Sequence, residues 1–292
     1  MIIIKITGGL GNQMFQYALG RALSLKKGVP FKLDISSYRR YKLHNKYELS
    51  DVFNISPEIA STKDLVQFSS FYNYIRKYSR LPRTQIIEEP CFQYWNGINY
   101  LQNKVYLNGY WQSPKYFSDY SDVIKSDFVF RNILDKDNQK LFEHISKSNS
   151  VSMHIRRGDY TSAKNINVHG TCKLSYYEDA VRYFQKKLIN PIFFVFSDDI
   201  EWAKANLKNI NNVKFVSNNS GKYSYIDMML MSLCKHNIIA NSSFSWWSAW
   251  LNSNPHKNVI APVDWFSKSY SKSKNILTTD LIPEDWILIS NN

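Results

Sequence analysis

Apolar positions along the chain alternate between two periods. Residues 2–6, IIIKI, form a short β-branched run, the pattern of a strand buried on both faces. A glycine-rich turn, TGGLGNQ, follows it. Phe15, Ala18, Leu19, Ala22 and Leu23 then recur at helical spacing, so a helix is predicted from about residue 13 and is closed by Gly28. PFKLDI (30–35) and KVYLNGYW (104–111) read as further strands. Residues 45–105 are irregular and rich in Tyr and Lys, and read as mostly helical with loops; helical segments continue from there to about 148.

A second alternating series begins at SVSMHIR (150–156), a strand. A polar loop leads to the helix SYYEDAVRYFQKKL (175–188), the strand PIFFVFSDD (191–199) and the helix IEWAKANL (200–207). The strand VKFVS, the helix SYIDMMLMSLCKHN (224–237), the strand NIIAN (237–241) and the helix SFSWWSAWLN follow, and NVIAP (258–262) closes the series. Strand, loop and helix repeating in this order predict parallel sheets joined by crossover helices. Two series predict an α/β chain of two doubly wound domains, 1–149 and 150–292, with the last residues able to pack back onto the first.

In such sheets ligands bind outside the carboxyl ends of the strands. Four polar clusters fall there: GGLGNQ, RRGDY, SDD and NSSFSWW. Each has a plain structural reading too. GGLGNQ has Gly9-x-Gly11 but Met14 where a third glycine would complete a dinucleotide fingerprint, and no Gly-Lys-Ser/Thr follows; it is otherwise a tight turn. Asp198 or Asp199 caps the helix at 200–207 more readily than it holds a metal. Trp246, Trp247 and Trp250 lie at helical spacing and read as core. Ser242, Ser243 and Ser245, with the N–H groups of that helix start, form a candidate anion cradle. Arg156 and Arg157 repel each other, a juxtaposition tolerated where both are solvated or where an anion sits between them.

Composition narrows the classes. The 292 residues are 44% hydrophobic and 21% charged, a folded globular balance. The formal charge of +13 suits an anionic partner, whether nucleic acid, a phosphorylated small molecule or a membrane surface, or simply a soluble basic exterior. Basic residues are scattered along the chain, which speaks against nucleic acid. The 20 Tyr, 17 Phe and 8 Trp are suited to stacking sugars or bases as well as to core. Cys91, Cys172 and Cys234 form no metal-type spacing and fit a reduced, cytoplasmic setting. The opening MIIIKITGG is too short and lacks the basic leader of a signal peptide, and no run approaches the roughly 18 apolar residues of a membrane span. Any membrane contact is therefore expected to be peripheral, on the inner face.

GGLGNQMFQYALGRAL, HIRRGDY, FSDDIEW and IIANSSFSWWSAWL together resemble the motif set of the α-1,2-fucosyltransferases, glycosyltransferase family 11, in order and spacing from residue 4 to about 262. Residues 35–105 carry none of these motifs. The resemblance implies a GT-B architecture, two Rossmann-like domains facing a cleft, with 1–149 on the acceptor side and 150–292 binding GDP-fucose. It implies inverting transfer from GDP-β-L-fucose, with O2 of a terminal galactose on an oligosaccharide or lipid-linked glycan as the family acceptor. It also implies no metal and no cofactor. The H-x-R-R element is shared with α-1,6- and protein O-fucosyltransferases, so it speaks for the donor more than for the acceptor.

By the same resemblance Arg156 holds the diphosphate, offsetting the charge that develops as the sugar leaves. His154 lies near the guanine or ribose and Asp198 contacts one of them. Gly11, Ser197, Ser242, Ser243, Phe244 and Ser245 complete the donor set. Arg157 either touches phosphate or pairs with an acid. Asn12 orients a hydroxyl or the leaving oxygen. Asp159 is either the base for the acceptor hydroxyl or a partner of the arginines.

Overall fold

The computed structural model of the chain describes residues 1–39, 45–69, 84–131, 134–163 and 165–291. It separates into two compact units, Met1–Arg131 with Thr279–Leu281, and Asn132–Thr278 with Ile282–Asn292.

The first unit is built on β1 (Ile2–Lys5), β2 (Phe31–Asp34), β3 (Gln85–Glu88) and β4 (Val105–Asn108), all parallel in the order β2-β1-β4-β3. Ile2, Ile3 and Ile4 of the central strand are fully buried, each contributing about 1.5–3 kcal/mol. Helix α1 (Leu10–Lys27) lays Met14, Phe15, Ala18 and Leu19 on this sheet. It starts at Leu10, ahead of the predicted residue 13, because Gly9 takes the cap position without any side-chain bond. Two short helices, α2 (Leu49–Val52) and α3 (Thr62–Val66), follow β2, and α4 (Ser121–Asp127) follows β4.

The reading of 45–105 as mostly helical is corrected by β3. It lies at the sheet edge, where alternate residues are exposed (Ile86 to 45%), so QIIE carries no buried-strand signature. Residues 70–83 of that reading lie outside the described residues. A return of the chain finishes the unit: Asp280 Oδ2 accepts from Tyr94 N (3.0 Å), its carbonyl accepts from Ser113 Oγ (2.9 Å), and its carboxylate pairs with Lys115. Leu281 is buried beside it.

In the second unit α5 (Lys136–Lys147) precedes β5 (Asn149–Ile155). Then come α6 (Leu174–Lys187), β6 (Pro191–Ser197), α7 (Ile200–Asn206), β7 (Val213–Val216), α8 (Tyr225–Leu233) and β8 (His236–Ile238). The series ends with α9 (Ser243–Leu251), β9 (Val259–Pro262), α10 (Lys268–Lys274) and β10 (Ile287–Ile289). All six strands are parallel, in the order β10-β9-β8-β5-β6-β7. Because α5 packs on β5 and α8, the division falls at 131/132 and not at 149/150. Helix α8 stops four residues short of its predicted end. His236 and Asn237 are drawn into pairing with β5, and the buried Asn237 amide donates to Ser152 Oγ (2.7 Å) and to the Met231 carbonyl (2.8 Å).

The second sheet reverses its winding at the middle. In the second unit the chain runs outward from β5 through β6 to β7, and from β8 through β9 to β10 in the other direction. The loops leaving β5 and β8 therefore part, opening a crevice at their carboxyl ends. In the first sheet β1 and β4 are the two inner strands and lie side by side.

Candidate active site

The strand-exit clusters HIRRGDY, SDD and NSSF meet at the reversal of the second sheet. Each arginine has its own carboxylate partners. Arg156 Nη2 donates to Asp159 Oδ1 (2.6 Å) and its Nη1 faces Asp198 Oδ2 (3.0 Å). Arg157 Nε reaches Asp199 Oδ2 (3.4 Å) while its guanidinium lies over the Trp202 ring, 4.1 Å from the centroid. Two guanidiniums thus face three carboxylates, and their mutual repulsion is offset. Burial opposes the charge on Arg156, but Asp198 and Asp159 more than compensate, leaving its pKa raised.

Asp198, expected to contact the nucleoside, is engaged here by the arginine loop. Its Oδ2 faces Arg156, and its Oδ1 accepts the backbone N–H of Arg157 (2.8 Å). The loop comes so close that a Cβ on Gly158 would lie 2.7 Å from Asp198 Oδ2, which accounts for glycine there. Asp199 is the helix cap, accepting from Trp202 N (3.2 Å), and Ser197 Oγ accepts from Asp199 N (3.0 Å). Asp159 is paired with Arg156 here.

His154 is 5% exposed at the end of β5, its ring 5.7 Å from that of Phe244. Burial pushes its pKa down to about 4, with Arg156 adding to the effect and Asp198 opposing it, so the ring is neutral at pH 7. Its Nδ1 is buried without a hydrogen-bond partner among the described residues. An orphaned polar atom of this kind costs about 1–3 kcal/mol unless something binds it.

The serine cradle shrinks. Ser245 is fully buried and its Oγ turns back to the Ser242 and Ala240 carbonyls (3.2 and 3.4 Å), as helix-interior hydroxyls do. Ser242 donates its N–H to Ala240 O (2.8 Å). The opening turn of α9 at Ser243 and Phe244 keeps the N–H groups that a helix start leaves without an intrahelical acceptor. Trp246 and Trp247 are fully buried and form the core beneath.

The first unit places Gly11 and Asn12 just beyond the exit of its inner strand β1. Gly11 is buried in the first turn of α1. Asn12 is the third residue of that helix and is therefore not its cap.

Known proteins point the same way. The family model described as Glycosyl transferase family 11 matches residues 1–289. The chain belongs to glycosyl transferase family 11. It is 37% identical over 297 residues to an α-1,2-colitosyltransferase of Escherichia coli, covering 99% of both chains. It is 34% identical over 301 residues to the O-antigen biosynthesis glycosyltransferase WbnK of Escherichia coli, covering 94% of this chain and 97% of the other. In fold it is similar to the NodZ α-1,6-fucosyltransferase soaked with GDP-fucose, with a TM-score of 0.50 and 14% identity, covering 87% of this chain and 96% of that one. The α/β fold is that of the GT-B glycosyltransferases.

Against this family frame, the sequence motifs missed several supporting residues. Tyr160 lies under the Arg156 guanidinium (5.4 Å) and stacks on His169 (4.4 Å, 11°), which continues to Phe266. Asn241 ties three loops together, its Nδ2 donating to the carbonyls of His169 (3.0 Å) and Trp265 (3.1 Å) from the end of β8. Gln112 follows β4 in NGYWQ, a fifth strand-exit cluster that the strand-end rule would have found.

Asp227 on α8 is another residue the motifs missed. Burial pushes its carboxyl up to about 7, partly opposed by the bond from Asn219 Nδ2 (2.7 Å). The folded state therefore holds this proton more tightly than the unfolded chain does. Its stabilising effect is complete below about pH 4 and is lost as pH rises through 7. Asp227→Asn keeps an acceptor for Asn219 and removes the loss. Urea unfolding should show the variant more stable than wild type by about 1 kcal/mol or more at pH 8, with the gain vanishing near pH 4. An equal gain at both pH values would rule out titration as the cause.

Among the described residues no group of three or more His, Cys, Asp or Glu side chains is arranged to hold a metal ion, and no helix is long and apolar enough to cross a membrane.

Proposed function

We propose that the chain transfers L-fucose from GDP-β-L-fucose, with inversion, to O2 of a terminal galactose on an oligosaccharide or lipid-linked glycan. The carrying observation is Arg156: a guanidinium at the exit of β5, at the winding reversal, beside a neutral His154 and the first turn of α9. A diphosphate fits this donor set, displacing Asp159 or Asp198 from Arg156. As the bond from fucose C1 to the β-phosphate oxygen breaks, Arg156 and the N–H groups of Ser243 and Phe244 stabilise the charge left on GDP. The acceptor oxygen bonds to C1 from the opposite face, and its proton passes to solvent. His154, with its free Nδ1, contacts the nucleoside, and Phe244 packs against that ring.

A second reading concerns the donor sugar. The 37% identity to a colitosyltransferase favours a donor that lacks the 3-hydroxyl of fucose, with the same 1,2 linkage. The likeness to an O-antigen glycosyltransferase supports a lipid-linked acceptor and hence work at the inner face of a membrane.

The deciding experiment offers GDP-fucose and its 3-deoxy counterpart with a panel of galactosides and determines the linkage in the product. An α-1,2 product is expected, and a different linkage or no product refutes the proposal. The proposed reaction needs neither metal nor cofactor, since the guanidinium takes the charge. Turnover should therefore survive EDTA with less than about a twofold loss; abolition by EDTA with rescue by magnesium or manganese would refute the arginine account.

A further inference from the structure

Two carboxamides meet beyond the exits of the neighbouring strands β1 and β4. Gln112 Nε2 donates to Asn12 Oδ1 at 2.6 Å. That bond fixes which end of each amide remains. Asn12 keeps Nδ2, a donor, and Gln112 keeps Oε1, an acceptor. Neither has another hydrogen-bond partner among the described residues.

The surrounding turn is braced to hold this pair. From α1, Gln16 Nε2 donates to the Gly109 carbonyl (2.9 Å) and its Oε1 accepts from Thr7 N (3.0 Å), linking the exits of β4 and β1. Gln13 Nε2 donates to the Gly8 carbonyl (3.1 Å). Glu89 accepts the N–H groups of Tyr110 (2.7 Å) and Trp111 (2.9 Å). Trp111, next to Gln112, sits at φ 56°, a left-handed conformation rare for a bulky residue, with its buried indole N–H unpartnered among the described residues. Gly8, at φ 80°, leaves room for the amide: a Cβ there would lie 2.6 Å from Asn12 Nδ2. Such bracing and strain around two unused polar atoms exceed what a turn needs.

A free donor beside a free acceptor, both uncharged, matches a hydroxyl group. Phosphate and carboxylate oxygens would only accept, and an ammonium would only donate. We propose that Asn12 and Gln112 together grip the acceptor hydroxyl that is fucosylated, its oxygen accepting from Asn12 Nδ2 and its hydrogen donated to Gln112 Oε1. The role rests on the transferase reading above and adds Gln112, which also fixes the orientation of the Asn12 amide.

The test compares wild type with Gln112→Met, which keeps the size of the side chain and removes its hydrogen bonds. Four quantities are read: transfer to a galactoside, hydrolysis of GDP-fucose by water, GDP affinity and melting temperature. Transfer should fall about 10- to 100-fold, while hydrolysis, GDP affinity and melting stay within about twofold or a few degrees. A transfer-to-hydrolysis ratio equal to wild type overturns the proposal and leaves the transferase reading standing. Should Gln112→Met fail to fold, wild type decides by saturation-transfer NMR with a galactoside and its 2-deoxy analogue: weaker contact for the deoxy sugar supports the grip, and equal contact overturns it. If wild type consumes no fucosyl or 3-deoxyfucosyl donor, the transferase reading has failed, and the same NMR comparison still decides whether the amide pair reads a hydroxyl.

Discussion

Arg156→Lys should transfer fucose at least about 100-fold more slowly than wild type, and GDP should bind more weakly. Arg156 uses one edge of its guanidinium for two carboxylates, Asp159 Oδ1 at 2.6 Å and Asp198 Oδ2 at 3.0 Å. The same planar fork, rotated onto a diphosphate, gives paired charge-assisted bonds. An ammonium is a compact point charge and cannot make that paired contact. Losing one preorganised donor to a developing oxyanion costs about 2.7–4 kcal/mol of transition-state stabilisation, which is about 10²–10³ in rate. Arg157 is engaged by Trp202 and Asp199 here, so it is not expected to restore the lost contact in the variant. Initial rates with saturating acceptor, together with calorimetric GDP affinity, provide the measurement. A lysine variant running at wild-type speed would make Arg156 a loop fastener and nothing more.

Asn12→Asp should lower kcat and kcat/KM together by about 10- to 100-fold while GDP affinity stays near wild type. A helix-capping role for Asn12 does not compete with this, since Gly9 occupies the cap and Asn12 is the third residue of α1. Aspartate still accepts from Gln112 Nε2, so the bridge between the exits of β1 and β4 survives. A negative charge in the first turn also suits the helix dipole, so folding should be unharmed or slightly favoured. What disappears is the Nδ2 donor. An interaction made only in the transition state reduces both kinetic parameters equally. If Asn12→Asp turns over normally, the amide serves only to tie the two turns.

Much of this architecture is legible in the sequence, for a physical reason. Central parallel strands are buried on both faces, so IIIKI and PIFFVF announce themselves as apolar runs, and the polar exits stand out against them. The edge strand β3 does not, because QIIE is half exposed, nor does β10, which has three residues and an exposed Leu288. The arginine loop reads as polar and anion-directed, but its pairing with Asp198 and Asp199 depends on β5 and β6 being neighbours, which is settled by the sheet order. Ser245 reads as part of an anion cradle because a serine at a helix start looks like a ligand until its hydroxyl is seen to turn back onto the Ser242 carbonyl (3.2 Å). Asn12 and Gln112 each follow a strand exit, but their contact, 100 residues apart in sequence, depends on β1 and β4 being neighbours, which the sheet order decides.

The return of Asp280 to the first unit bears on how the chain can be made and divided. The ribosome delivers Met1–Arg131 early, yet the residues that complete that unit's hydrogen bonds, Thr279–Leu281, emerge only after nearly all of the second. The earlier-made unit must therefore wait, with the Tyr94 N–H and the Ser113 hydroxyl still in water, until the later one has passed the exit tunnel. A gene fragment ending at Arg131 would yield a permanently unfinished product. Isolating the first unit requires residues 279–281 to be supplied as a grafted peptide, and isolating the second requires a short splice from Thr278 to Ile282.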